Sequence, residues 1–353
     1  MKQLIRSQYN SKGYVYAASA ADVAKESGFE KIARMGSNEN PFPTPAAILA
    51  AACAALPDIN RYPDPASQNL TAAIRRENSG ASVVVSGCGM DGVIETALRM
   101  LIDPGDKVVI STPTFSVYGL MARSVSAHVV NVPRTGAEFA VDVDAFIAEA
   151  KDAKISFLCS PNNPTGTVTP VEDVKKILAN IDGVLFLDCA YVEFSDIDYR
   201  PLLASGNLVI GRTMSKVYGL AGLRIGYALV PEWFTAPYAA AVTPFTLNCV
   251  SEAAACAALA HPELRTSFVS FVREWREKFL REIPFPVLPS GANFVLINTA
   301  PLKSDEAVHR LAKAGVLVRS CSSFPGLGDT YIRVSIGDVW ENERFLAAVK
   351  GLC

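Results

Sequence analysis

Histidine is scarce in this chain: three in 353 residues, at His128, His261 and His309, far apart in sequence. That scarcity argues against a metal site and against histidine-based nucleophilic catalysis. An excess of charge of either sign is also missing. Thirty-three basic and 35 acidic side chains leave a net charge of −2, with no basic tract. Nucleic acid and anionic membrane surfaces are therefore not expected partners. No apolar run approaches a membrane span, and the opening MKQLIRSQYNSKGY lacks the apolar centre of a signal peptide. The expectation is a cytoplasmic protein. Eight cysteines are scattered without a CxxC pair and read as small buried hydrophobes in a reducing compartment. No internal repeat or low-complexity linker breaks the chain.

What is present suits a large globular enzyme. Half the residues are hydrophobic and 19% are charged, which argues against disorder. At this length two domains are expected. Seven short apolar runs occur between residues 83 and 230: 83–86, 107–111, 127–132, 154–159, 183–188, 208–212 and 225–230. Runs so continuously apolar suit a sheet covered on both faces. Helix-period stretches at 93–102 and 171–181 lie between some of them, so the reading is an α/β fold with a mainly parallel sheet. Val93, Ile94, Ala97, Leu98 and Leu101 give the first helix one apolar face to lay on that sheet. After about residue 245 a long helical region (250–282) precedes β-like runs at 293–298, 316–320 and 331–336, with helices at 304–314 and 340–350. This predicts a smaller α+β domain, completed by the N-terminal segment: residues 36–245 form the large domain, 1–35 and 246–353 the small one.

Lys216, in TMSKVYGLAGLRIGYALV (213–230), stands just past an apolar run. Burial disfavours a charged amine and lowers its pKa, and a neutral lysine can hold a carbonyl as a Schiff base. Pyridoxal 5'-phosphate offers such a carbonyl, with a phosphate that Ser215 and Arg224 can receive. Its other needs have candidates. GCGMDG (87–92) follows one strand and opens a helix, making a glycine-permitted anion nest, though glycine turns before helices are common. Asp188 ends the run GVLFLD and is either a helix cap or the partner of a buried cation such as a protonated pyridine. Tyr191 and Asn163 can bond the ring oxygen, although SPNNPTG (160–166) also reads as a plain turn. Phe115, in TPTF, is a ring-stacking candidate or simply core.

Taken together and in this order, GCGMDG, PTF, SPNNPTG, DCAY, SK and GLR resemble the fold-type I pyridoxal-phosphate enzymes, specifically the class I/II aminotransferases. YVYAASAADVAKESGFEKIARMGSNENP (14–41), SNENPFPTP (37–45) and NRYPDP (60–65) look like the N-terminal signatures of histidinol-phosphate aminotransferases. The resemblance spans nearly the whole chain. It implies a seven-stranded, mainly parallel sheet in the large domain. It also implies Lys216, Asp188 and Tyr191 as catalytic residues, and Met90, Asp91, Phe115, Asn163, Ser215 and Arg224 around the cofactor. Tyr62 is similar to a tyrosine that reaches the phosphate in the neighbouring subunit, which implies a homodimer with shared sites. Arg333, in YIRVSIG, resembles the family's substrate-anion arginine. Arg319, in VLVRS, aligns with a second one that grips the substrate phosphate; Asn38 and Tyr14 are expected as lid contacts.

The resemblance implies amino transfer between histidinol phosphate/imidazole acetol phosphate and glutamate/2-oxoglutarate. The expected substrates are thus an amino acid, a phosphorylated amine and a 2-oxo acid. Paired arginines suit a site that must take both a carboxylate and a phosphate. The alternatives within the scaffold are an aromatic aminotransferase and a threonine-phosphate decarboxylase. A ligand-sensing module attached to a transcription regulator fits less well, because the chain has no room for a basic DNA-binding domain and keeps the lysine.

Overall fold

The computed structural model describes residues 4–10, 13 and 19–352. Its elements run α1 (Ala20–Ser27), β1 (Ala33–Arg34), α2 (Ala46–Ala55), α3 (Gln68–Glu77), β2 (Ser82–Ser86), α4 (Gly89–Leu101) and β3 (Lys107–Thr112). There follow α5 (Val117–Ser124), β4 (His128–Pro133), α6 (Val143–Ala150), β5 (Ile155–Cys159), α7 (Val171–Leu178), β6 (Val184–Asp188) and β7 (Leu208–Thr213). Then come β8 (Gly226–Val230), α8 (Glu232–Ala241), α9 (Cys249–Leu259), α10 (Pro262–Glu282) and β9 (Phe294–Asn298). The chain closes with α11 (Ser304–Lys313), β10 (Val316–Leu317), β11 (Arg319–Ser320), β12 (Tyr331–Ser335) and α12 (Val339–Lys350).

The main sheet has seven strands in the order β2-β8-β7-β6-β5-β3-β4. Only β8 runs against the rest. Strands β5, β6 and β8 are buried at every position, as their unbroken apolar runs require in a sheet covered on both faces. The parallel strands β3, β5, β6 and β7 send their carboxyl ends to one edge, where sites of such sheets gather.

Two pieces of the C-terminal reading change. The helical region at 250–282 is two helices, α9 and α10, separated at Ala260 and His261 with Pro262 starting the second. Proline is favoured in a first turn because no backbone N–H is needed there. The run 316–320 splits between two sheets. Val316 and Leu317 pair in parallel with Ala33 and Arg34, while Arg319 and Ser320 pair with β12 in an antiparallel sheet ordered β11-β12-β9. The N-terminal strand β1 is thus stitched to the C-terminal part of the chain. Glu341, in the first turn of α12, strengthens that stitch. One carboxylate oxygen closes a capping box on Asp338, and the other accepts the Arg34 backbone N–H at 2.9 Å.

Candidate active site

At the carboxyl edge of the sheet lies a cavity of about 450 Å³. Lys216 stands in its wall, three residues past the end of β7. Its Nζ donates to the Ser37 carbonyl at 3.0 Å and sits 5.9 Å from the centre of the Tyr191 ring. Burial, then the nearby Arg333 charge, brings its pKa down to about 8. Asp188, at the end of β6, is buried. One carboxylate oxygen accepts the Ala190 N–H at 2.9 Å and the other accepts the Tyr118 hydroxyl. Burial pushes its pKa up to about 6, which makes it a site that favours a cationic partner.

The phosphate end is built where α4 begins. Gly89 has φ +72, a left-handed conformation that favours glycine, and its N–H bonds the Arg224 carbonyl at 2.7 Å. On β8, a Cβ at Gly226 would meet the Met90 nitrogen at 2.1 Å, so only glycine lets that strand abut the helix start. The Thr213 hydroxyl donates to Ser215 Oγ at 3.0 Å and accepts the Ser215 N–H at 3.1 Å. Arg224 reaches Asp91 at 3.1 Å, both side chains being partly exposed. Helix-start N–H groups, a hydroxyl and a guanidinium thus face one end of the cavity, a donor set suited to a phosphate.

The other end carries the arginines. Arg333 is 7% exposed, with Nη1 donating to Asn163 Oδ1 and Nη2 to the Gly36 carbonyl, each at 2.6 Å. Its Nε is buried with no hydrogen-bond partner among the described residues. A buried guanidinium held only by neutral oxygens suits a bound anion. Arg319 lies directly across the β11–β12 pair in register with Arg333, so both side chains leave the same face.

Lys216, Asp188, Tyr191, Met90, Asp91, Phe115, Asn163, Ser215, Arg224, Arg333, Arg319 and Asn38 all line this one cavity. Asn38 is 1% exposed, with φ +55. Its amide donates to the Tyr191 hydroxyl at 3.1 Å and accepts from Ser335, and its carbonyl accepts from Asn293. It therefore holds Tyr191 in place from the core. Tyr62 lies outside the cavity, 83% exposed and stacked on Phe245 at 4.7 Å. Tyr14, with the start of the 14–41 signature, lies outside the described residues. In SPNNPTG the neighbouring Asn162 is the turn anchor, fully buried and bonded to Thr114, Pro113 and Thr165, which frees Asn163 to face the cavity. Tyr118 escaped sequence reasoning because only the adjacency of β5 and β6 brings Asp188 under it.

The model of the family "Aminotransferase class I and II" matches residues 30–349. The chain belongs to that family. A histidinol-phosphate aminotransferase of Methanocorpusculum labreanum is 64% identical over 352 residues, covering all of both chains. One of Methanoculleus marisnigri is 57% identical over 354 residues, again over the whole of both. Among solved structures, the histidinol-phosphate aminotransferase of Sinorhizobium meliloti in complex with pyridoxal-5'-phosphate superposes with a TM-score of 0.87 at 26% identity, covering 99% of this chain and 98% of that one. The α/β architecture of this aminotransferase, with its seven-stranded and mainly parallel sheet, is shared with that solved structure. Among the described residues no helix is long and apolar enough to cross a membrane.

Proposed function

We propose that this aminotransferase moves an amino group between histidinol phosphate and 2-oxoglutarate, giving imidazole acetol phosphate and glutamate, with pyridoxal 5'-phosphate on Lys216. The carrying observation is the full-length likeness to two chains bearing that activity in their names, at 64% and 57% identity. The cavity's donor set fits the cofactor: an amine near neutrality at Lys216, a buried carboxylate at Asp188 and a helix-start anion nest at Met90 and Asp91. Bound there, pyridoxal phosphate supplies an aldehyde that condenses with amines and a ring that takes up electrons released at the substrate Cα.

The chain's own residues do the rest. Asp188 holds the ring nitrogen by charge, while Ser215, Arg224 and the start of α4 hold the phosphate. Phe115 covers a ring face, and Asn163 and Tyr191 bond the ring oxygen. Lys216 Nζ, with a pKa near 8, would take a proton from the substrate Cα and hand it to the former aldehyde carbon of the cofactor. Arg333 and Arg319 grip the carboxylate of one substrate and the phosphate of the other, since a guanidinium offers paired donors to either.

In this reading residues 36–245 form the cofactor-binding domain, with 1–35 and 246–353 the smaller one. The molecule is a cytoplasmic homodimer in which Tyr62 reaches the site of a second copy. An exposed aromatic stack of Tyr62 on Phe245, near exposed Leu56 and Ile59 in the chain, supports that contact. The free thiols of seven described cysteines suit a reducing compartment.

Titrating the visible cofactor band of the purified protein tests the substrate. Histidinol phosphate bleaches the band at low concentration, and tyrosine or phenylalanine does so only at much higher concentration. Equal response to aromatic amino acids, or carbon dioxide release without keto product, contradicts the proposal.

A further inference from the structure

We propose that Tyr118 is a positioning residue for the cofactor ring: its hydroxyl holds the Asp188 carboxylate so that the shared proton stays on the ring nitrogen, and its ring braces Phe115. The inference rests on the pyridoxal-phosphate reading above and says what sets the state of that ring.

Tyr118 lies in the first turn of α5 and is fully buried. Its hydroxyl donates to Asp188 Oδ2, leaving Oδ1 to the Ala190 N–H. The hydroxyl cannot wander. The Tyr118 ring lies on Phe157, with centroids 5.0 Å apart and planes 7° from parallel, and Phe157 in turn packs on Phe186 at 5.3 Å. Strand β5 carries Phe157 and strand β6 carries Phe186, and the two are register partners. The same sheet positions that fix Asp188 therefore fix the phenol above it. Phe115 meets the Tyr118 ring edge-on at 5.7 Å and 82°, a favoured aromatic geometry. One side chain thus fixes both the carboxylate and the stacking wall.

The chemistry gives the contact a direction. A carboxylate that loses a hydrogen-bond donor becomes more basic, and a more basic Asp188 competes with the ring nitrogen for their shared proton. A neutral ring takes up electrons less well. The titratable groups facing Asp188 are Tyr118 from α5, Cys159 from β5, Asp91 from α4, Lys216 after β7, and Cys189 and Tyr191 after β6. Among these described groups, Tyr118 alone bonds the carboxylate. Burial and the Asp188 charge push the Tyr118 phenol well up, so it stays a donor throughout the working range.

The test uses holoenzyme loaded with pyridoxal phosphate carrying 15N in the ring, in the wild type and in Tyr118→Phe and Phe157→Leu variants. Expected in the wild type is a nitrogen resonance in the protonated range. In Tyr118→Phe it moves toward the neutral-pyridine position, and the pH midpoint of the visible band rises by about half a unit or more. There kcat falls roughly tenfold with KM little changed. Phe157→Leu keeps the hydroxyl but loosens the ring beneath it, and displaces the nitrogen signal distinctly less than Tyr118→Phe does. An unmoved nitrogen in Tyr118→Phe, or the same displacement in both variants, overturns the role of the hydroxyl alone. A wild-type protein that takes up no labelled cofactor, or holds it with a neutral nitrogen, overturns the cofactor reading beneath it.

Discussion

Strands β6 and β7 separate two polar cavities, and the contrast between them shows how a site differs from a polar interior. The cavity at the carboxyl edge holds Asp188, Thr213, Lys216 and Arg333. The other, of about 320 Å³, is lined by Cys189, Ile210 and Arg212 together with Glu77, Glu193, Asp198, Arg200 and Arg265. It is lined by six charged side chains against seven in the first, yet each arginine there has a carboxylate of its own. Arg212 meets Glu193 at 2.7 Å, Arg265 meets Glu77 at 3.3 Å and Arg200 meets Asp198 at 2.8 Å. In the first cavity Arg224 has Asp91 at 3.1 Å, but Arg333 is held by the neutral oxygens of Asn163 and Gly36, and Lys216 is left with a lowered pKa. Charge density does not mark the site; charge left without its counterpart does.

Substitutions on the two sides can break that contrast. Lys216→Ala gives the largest effect, a loss in kcat of about 10²–10⁴-fold or more with the fold intact, read by steady-state transamination and circular dichroism. Near-wild-type turnover would remove Lys216 from the chemistry. Arg333→Gln lowers kcat/KM for the anionic substrate by roughly a hundredfold, about 3 kcal/mol, because the paired donors go. Glu193→Ala acts on the other cavity. It leaves kcat/KM near wild type but destabilises the protein by about 3 kcal/mol in denaturant unfolding, since Arg212 keeps a buried charge without its partner. A loss of kcat/KM in Glu193→Ala to match that of Arg333→Gln would erase the distinction.

The smallest and sharpest prediction concerns pH. A lysine with a depressed pKa is neutral, and so reactive, above that value and charged below it. Capture of pyridoxal phosphate by cofactor-free protein, followed by stopped flow between about pH 6.5 and 9.5, therefore speeds up through a midpoint near 8. A rate still climbing at the top of that range, as an ordinary lysine requires, contradicts the buried setting of Lys216.

Much of this was legible beforehand, for a physical reason. Strands β5, β6 and β8 announce themselves as apolar runs, because a doubly covered sheet leaves them no polar face, whereas β4 at the sheet edge carries His128 and Asn131 and is largely uncovered. Motif residues at strand ends, such as Asp188 and Asn163, inherit their positions from that sheet. What stayed hidden depends on pairing. Nothing in VLVRS says that Val316 and Arg319 belong to different sheets, since hydrophobicity does not name the partner strand. Asn38 is expected from its motif as a lid contact, and nothing in that segment shows its bonds to Tyr191, Ser335 and Asn293. Tyr118 reads as core until Asp188 appears beneath its hydroxyl.

One nitrogen, Lys216 Nζ, carries the chemistry. Reducing the cofactor-loaded protein with borohydride and mapping its peptides by mass spectrometry should place a phosphopyridoxyl group on Lys216. Its absence there, or its presence only on another lysine, would contradict the central claim.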